Sequence, residues 1–273
     1  MKTPRTLMID RPDGRLSYDD NEIDGPLVIA APGIGDLRHS YRHIRKAMAE
    51  AGIRFVTMDL RGMGESSSDW DELDDAAVAS DFLAMVDELG GGPAVLVGNS
   101  LSCASAVLAA TDSPDKVAGI VLIGPFVREV PLTWWQKAAF GVMLTPPWGR
   151  SAWVGYYRRN MYPGTQPPDH ADYVDSLRAN LGEPGRFSQF RSLATSSHAE
   201  AGSRLDRVGQ PVTIVMGTAD PDFPDPVAEA EDLAGILGAT LVLSEGSGHY
   251  PQAETPDIVS KAIVELVGRS FEL

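Results

Sequence analysis

One cysteine, Cys103, stands among 273 residues. It cannot form an internal disulfide, and a reducing, cytoplasmic setting is expected. Basic residues are scarce beside acidic ones: 23 Lys and Arg against 38 Asp and Glu leave a net charge of −15. Nucleic acid is therefore excluded as the main partner, because phosphate recognition needs a concentrated basic face. No apolar run approaches the roughly 20 residues of a membrane helix, so no membrane is expected as partner. The opening stretch Met1–Asp10 turns charged before the core of a signal peptide could form. Repeats and low-complexity tracts are missing too. What is present, 43% hydrophobic and 22% charged residues, is globular and excludes a disordered chain, a collagen-like fibre and a disulfide-stapled miniprotein.

Short apolar runs alternate with helical patterns. Residues 5–10 and 15–19 flank the turn sequence Pro12-Asp13-Gly14 and predict a hairpin. Strands are expected at 27–31, 53–59, 94–97, 117–123, 212–216 and 240–243, and helices at 38–51, 71–89, 101–110, 225–237 and 256–268. Wholly apolar runs such as Leu27-Val28-Ile29-Ala30-Ala31 suit strands buried on both faces. The fold class is α/β, an eight-stranded, mostly parallel sheet flanked by helices. The alternation stops between about 127 and 206, where four of the five tryptophans lie. This reads as a helical insertion, a cap or lid over 127–206, between core segments 1–126 and 207–273. Such an insertion would cover the carboxyl ends of the strands, where α/β sheets bind ligands.

Gly98-Asn99-Ser100-Leu101-Ser102 falls between a strand and a helix. A serine there sits on a sharp turn that exposes its hydroxyl, with small residues two before and two after allowing strand and helix to approach. The same five residues also suit a plain serine N-cap after a buried strand.

Four segments together resemble the α/β-hydrolase superfamily, specifically serine hydrolases with a helical cap. They are this elbow, Pro32-Gly33-Ile34-Gly35 after the third strand, Asp59-Leu60-Arg61-Gly62-Met63-Gly64-Glu65-Ser66, and Gly248-His249-Tyr250-Pro251 with Glu254 and Pro256. Two departures from the family pattern are Ser102, where the elbow usually ends in glycine, and Pro32, where histidine is commoner. The eight expected strands equal the family's number. The resemblance implies Ser100 as nucleophile, His249 as general base and an acid after the penultimate strand. Asp220, three residues after Gly217, matches the family's placement; Asp222 and Asp225 compete, and Glu129 after the sixth strand is a weaker choice. The amides of Ile34 and Leu101 are the implied oxyanion donors. No metal and no organic cofactor is required.

Of the five histidines, His170 and His198 fall in the insertion. His39 and His43 are spaced i, i+4 on an expected helix, but no third metal ligand accompanies them. Asp59 and Arg61 read as loop-holding residues, and Cys103 as a small packing residue. Trp134, Trp135 and Trp153, with Phe140, Tyr156 and Tyr157, would line an apolar substrate lid or pack the insertion onto the sheet. Arg158 and Arg159 would either meet a substrate carboxylate or form a solvated face.

The leading expectation is hydrolysis of a small to medium apolar ester or lactone through an acyl-enzyme, by a monomer or homodimer. The Gly-Asn-Ser elbow also resembles cofactor-free C–C bond hydrolases of dienoic ketoacids. Thioesterases and acyltransferases use the same residues, and a slow-turnover ligand receptor would keep them too. Dehalogenation and epoxide opening are disfavoured, since relatives of those kinds carry Asp where Ser100 stands. Dinucleotide binding is disfavoured because Arg38 replaces the third glycine of Gly33-x-Gly35.

Overall fold

The computed structural model describes residues 6–129 and 134–272. The strands are β1 (Leu7–Arg11), β2 (Gly14–Asp20), β3 (Leu27–Ala31), β4 (Arg54–Met58), β5 (Ala94–Asn99), β6 (Val117–Ile123), β7 (Val212–Gly217) and β8 (Thr240–Ser244). They form one sheet in the order β1-β2-β4-β3-β5-β6-β7-β8. The first two pairings, β1 with β2 and β2 with β4, are antiparallel; all others are parallel. The eight expected strands are thus all present.

Alternate residues of the central strands feed two cores. Leu96, Ile120 and Leu122 belong to one side, Val95, Val97, Val121 and Ile123 to the other, and all are fully buried. Each such side chain contributes about 1.5–3 kcal/mol by leaving water. This explains why the strands read as unbroken apolar runs rather than alternating ones.

The core helices are α1 (Arg45–Glu50), α2 (Asp75–Glu88) and α3 (Ser102–Asp112). The α2 helix starts four residues later than its periodicity predicts, because Asp74 caps it by accepting the Ala77 N–H at 2.8 Å. The single helix expected over 38–51 is broken into a short 3₁₀ turn, Arg38–Tyr41, and α1. Arg38 is the reason. Its guanidinium pairs with Asp19 and Asp59, and its amide donates to Asp59 at 2.8 Å, pinning the chain to the core.

Between β6 and β7 lie α4 (Trp134–Met143), α5 (Gly149–Asn160), α6 (His170–Asn180), α7 (Arg186–Ala194) and the single turn α8 (Ala199–Gly202), and among the described residues there is no strand. Polar ties fix this segment to the loops that follow β3 and β4. Arg42 grips Asp169 with two bonds of 2.6 and 2.7 Å while lying 4.1 Å from the Tyr173 ring. The Asn180 amide exchanges bonds of 2.8 and 3.1 Å with the Gly64 backbone. The chain ends with α9 (Pro226–Leu237), α10 (Pro251–Glu254) and α11 (Pro256–Ser270). No helix among the described residues is long and apolar enough to cross a membrane.

Candidate active site

β5 runs directly into α3 through Ser100. A side chain on Gly98 would stand 2.5 Å from the Ser102 backbone, so only glycine lets strand and helix cross this closely. Ser100 takes up the turn in a left-handed conformation, φ +58°, that costs a non-glycine residue of order 1–3 kcal/mol. Its amide bonds Ile123 O at 2.9 Å. The Ser102 hydroxyl, which replaces the usual glycine, donates to the carbonyl of Pro32, tying the elbow to the loop after β3. On that loop Gly33 passes so near that a Cβ would lie 2.9 Å from the Ser100 Cβ. Among the described residues, neither the Ile34 nor the Leu101 amide donates a hydrogen bond within the protein. Cys103, one turn into α3, is buried with Sγ on Gly98 O and Ile123 O, and burial pushes its thiol far up.

His249 follows β8 and is buried, and Asp220 follows β7. Imidazole Nδ1 and Asp220 Oδ2 are 2.7 Å apart, while Asp222 Oδ2 is 3.8 Å from the same nitrogen. Asp225 takes no part: it caps α9 by accepting the Ala228 N–H at 3.0 Å. Asn99 Nδ2 donates to the His249 and Ile123 carbonyls at 3.1 and 3.0 Å, linking the elbow to the histidine loop. The Phe126 ring lies 5.8 Å from the imidazole, and its amide donates to Ser100 O at 3.4 Å. Among the described residues no hydrogen bond joins the Ser100 hydroxyl to the His249 ring; such bonds are often long without substrate and tighten in the complex.

Burial pushes the imidazole pKa down, but the Asp220 and Asp222 carboxylates outweigh it and raise the value to about 9. Burial pushes the Asp222 carboxyl up, against the pull of His249. Glu254, raised to about 7 by burial, accepts the amides of Gly248 and of Gly164 in the inserted segment. Asp220, Asp222 and His249 are also the one His, Cys, Asp or Glu group among the described residues tight enough to surround an ion. The short Nδ1 to Asp220 bond accounts for that closeness, so the trio gives no separate sign of a metal.

Helix α5 covers the site with one face. Trp153 is buried against Gly35, with its ring tilted against Phe190 at a centroid distance of 4.9 Å. Tyr156 donates to Asp222 at 2.6 Å. Tyr157 and Tyr173 donate to Asp36, the residue after the Gly33-Ile34-Gly35 loop. Burial raises the Asp36 carboxyl to about 6. The sequence gives no role to Asp36, to the Asn99 bond to the histidine loop or to the Tyr156–Asp222 pair. A carboxylate directly following the glycine loop was the available signal for the first; the last joins positions 66 apart and leaves none.

Not every expected binder arrives. Trp134 and Trp135 on α4 are 82% and 57% exposed, so neither packs over the site as a lid. Arg158 and Arg159 are exposed as well and, with Arg178, line a groove of about 460 Å³ on the side of α5 away from Trp153 and Tyr157. The groove carries no contact to Ser100 or His249, which removes the arginines as carboxylate holders in the site. His39 and His43 face different carboxylates, Asp19 and Asp169. His198 pairs with Asp75 at 2.8 Å, and His170 is buried beside Tyr162.

A sequence profile described as the alpha/beta hydrolase family matches residues 28–262. The chain belongs to this family. Among curated relatives of this alpha/beta hydrolase, the 2-hydroxy-6-oxononadienedioate/2-hydroxy-6-oxononatrienedioate hydrolase of Paraburkholderia phymatum is 36% identical over 270 residues, covering 93% of this chain and 91% of the relative. Epoxide hydrolase A of Mycobacterium tuberculosis is 24% identical, covering 98% of each. Among solved structures, a thermophilic esterase from Thermogutta terrifontis superposes with a TM-score of 0.81 at 22% identity, over 97% of this chain and 99% of the esterase. The alpha/beta hydrolase fold is thus shared along nearly the whole chain, and the protein is a hydrolase.

Proposed function

We propose that this hydrolase cleaves carboxylic esters of small to medium, largely apolar substrates through an acyl-enzyme. Ser100 is the nucleophile, His249 the general base and Asp220 the acid that orients it. The observation that carries the reading is the strained Ser100 turn bound through Asn99 to a buried His249–Asp220 pair. A serine hydroxyl is a poor nucleophile at neutral pH. His249 takes its proton as Oγ attacks the carbonyl carbon, then returns it to the leaving alcohol. Asp220 fixes the tautomer with the proton on Nδ1 and stabilises the imidazolium. The free amides of Ile34 and Leu101 receive the oxyanion; one such donor is worth about 3–4 kcal/mol. Water, activated by the same imidazole, releases the acid. Trp153 forms part of the apolar wall, and residues 127–206 act as the cap.

A fluorophosphonate probe labels Ser100, mapped by peptide mass, and a p-nitrophenyl acyl series locates the chain-length optimum. Ser100→Ala removes labelling and lowers ester kcat by about 10⁴-fold or more while the Tm stays put. Undiminished turnover by that variant refutes the assignment.

The 36% identical relative supports a second reading, hydrolysis of a C–C bond by the same residues. A carboxylate-bearing substrate would be favoured by a cation at the site, and Arg158 and Arg159 face away from it. Turnover of a dienoic ketoacid above that of butyrate ester would reverse the ranking. Epoxide opening is not proposed, since Ser100 occupies the position where such relatives carry Asp.

A further inference from the structure

We propose that Asp222 is a positioning residue for His249, a second carboxylate held at the imidazole by Tyr156, through which the seating of α5 on the core reaches the base. This rests on the reading of Ser100, His249 and Asp220 as the reacting set. Each oxygen of the two carboxylates has an assignable place. Asp220 Oδ2 meets imidazole Nδ1 at 2.7 Å, and Asp220 Oδ1 accepts the Asp222 amide at 3.0 Å. Asp222 Oδ2 stands 3.8 Å from Nδ1, and its Oδ1 accepts the Tyr156 hydroxyl at 2.6 Å. An ordinary turn carboxylate would face water. This one is only 20% exposed and accepts a side-chain hydrogen bond from a helix 66 positions earlier in the chain.

The same helix touches the opposite side of the site, with Trp153 on Gly35 and Tyr157 on Asp36. Lifting α5 would therefore release Asp222 from Tyr156 and remove the Trp153 and Tyr157 contacts from the loop after β3, which Tyr173 and Ser102 still hold. The other charged or titratable groups around His249 are Asp220, Asp36 on the loop after β3, and Tyr250 beside the ring; Glu254 faces the Gly248 amide behind it. The Asp222→Asn substitution replaces none of these groups. Asp222 Oδ2 needs to advance about 1 Å to take the Nδ1 proton itself, since a charge-assisted N–H···O bond is about 2.8 Å long.

The decisive experiment is an NMR titration of the His249 ring, ¹⁵N-labelled at histidine, in the catalytically silent Ser100→Ala protein, with His249→Gln to assign the signal. Removing a negative charge this close makes the imidazolium harder to form. Asp222→Asn is expected to lower the His249 midpoint by about one pH unit. Tyr156→Phe lowers it by less, in the same direction, because an Asp222 without its hydroxyl donor holds a proton more readily. A merely structural role would lower the Tm of these variants and leave the midpoint in place, and an unmoved midpoint in both overturns the proposal. The second arm uses ester turnover. Asp220→Ala retains activity at least tenfold above that of Asp220→Ala with Asp222→Asn, as Asp222 substitutes at Nδ1; equal activities overturn the proposal as well. Should the wild-type protein cleave no ester, the reaction assignment fails, while the titration still decides the Tyr156–Asp222 link.

Discussion

The two sides of the site are made of different material. On one side β5, β7 and β8 deliver Ser100, Asp220 and His249 on short turns directly off the sheet. These residues sit on backbone whose strands are hydrogen-bonded along their whole length. On the other side α5 lays Trp153, Tyr156 and Tyr157 against the site, held by side-chain contacts to Phe190, Asp222, Asp36, Tyr162 and Tyr250 and by the polar ties of its neighbours. The strand-borne side is fixed by the same bonds that make the fold. The helix-borne side is fixed by local bonds that can be removed one at a time without dismantling the sheet. In the proposed mechanism the reacting groups stand on the first side and the cover on the second, so the cover can be altered apart from the chemistry everywhere except at the Tyr156–Asp222 bond that links them.

The largest test of that contrast is Trp153→Ala. Deleting a buried tryptophan costs about 3–5 kcal/mol of stability, measurable by urea denaturation. The folded variant should still bind the fluorophosphonate probe at Ser100, with the damage confined to stability and to KM for bulky esters. Loss of labelling in the folded protein would show that the two sides are not separable.

The pH profile reads the strand-borne side and, through Asp222, its one link to Tyr156 on α5. Ester attack needs the neutral imidazole, and the neighbouring carboxylates hold the His249 pKa at about 9. Below that value kcat/KM should therefore rise about tenfold per pH unit and level off above it. The stability side has the matching sign. A histidine raised above its usual 6.5 in the folded state stabilises fully below pH 6.5, and that contribution fades as pH climbs through about 9. A stability comparison of wild type with His249→Gln across pH 6–10 reads this directly.

The smallest effect belongs to α4. Changing Trp134 or Trp135 to Ala alters exposed groups and should shift stability by no more than about 0.5 kcal/mol. Turnover of p-nitrophenyl acetate should not change. A large loss would place α4 with α5 as part of the cover.

The same contrast explains what could be read beforehand. Strand-borne features leave local marks: apolar runs at 27–31, 94–97 and 117–123, a small-residue elbow around Ser100, and a glycine-flanked histidine after the last strand. Each was legible because the physical requirement and the residues that meet it are neighbours in the chain. The helix at 38–51 was misjudged because Arg38 answers to Asp19 and Asp59, a tertiary demand that overrides periodicity. Trp134, Trp135 and Trp153 look alike in sequence, yet only Trp153 is buried, since residue type alone does not record which tryptophan meets the core. Asp220 and Asp222 could be ranked by their distance from Gly217, but the Tyr156 bond that separates their surroundings spans the insertion.

The buried state of Cys103 has a practical consequence. With its sulfur enclosed and its thiol held in the protonated form, the native chain offers maleimide reagents no target while it stays folded. One cysteine introduced on α4 and another on an outer turn of α11 would take a pair of fluorophores without first removing any natural residue. The distance between such dyes would then report, molecule by molecule, whether the inserted helices change position when a candidate substrate is added.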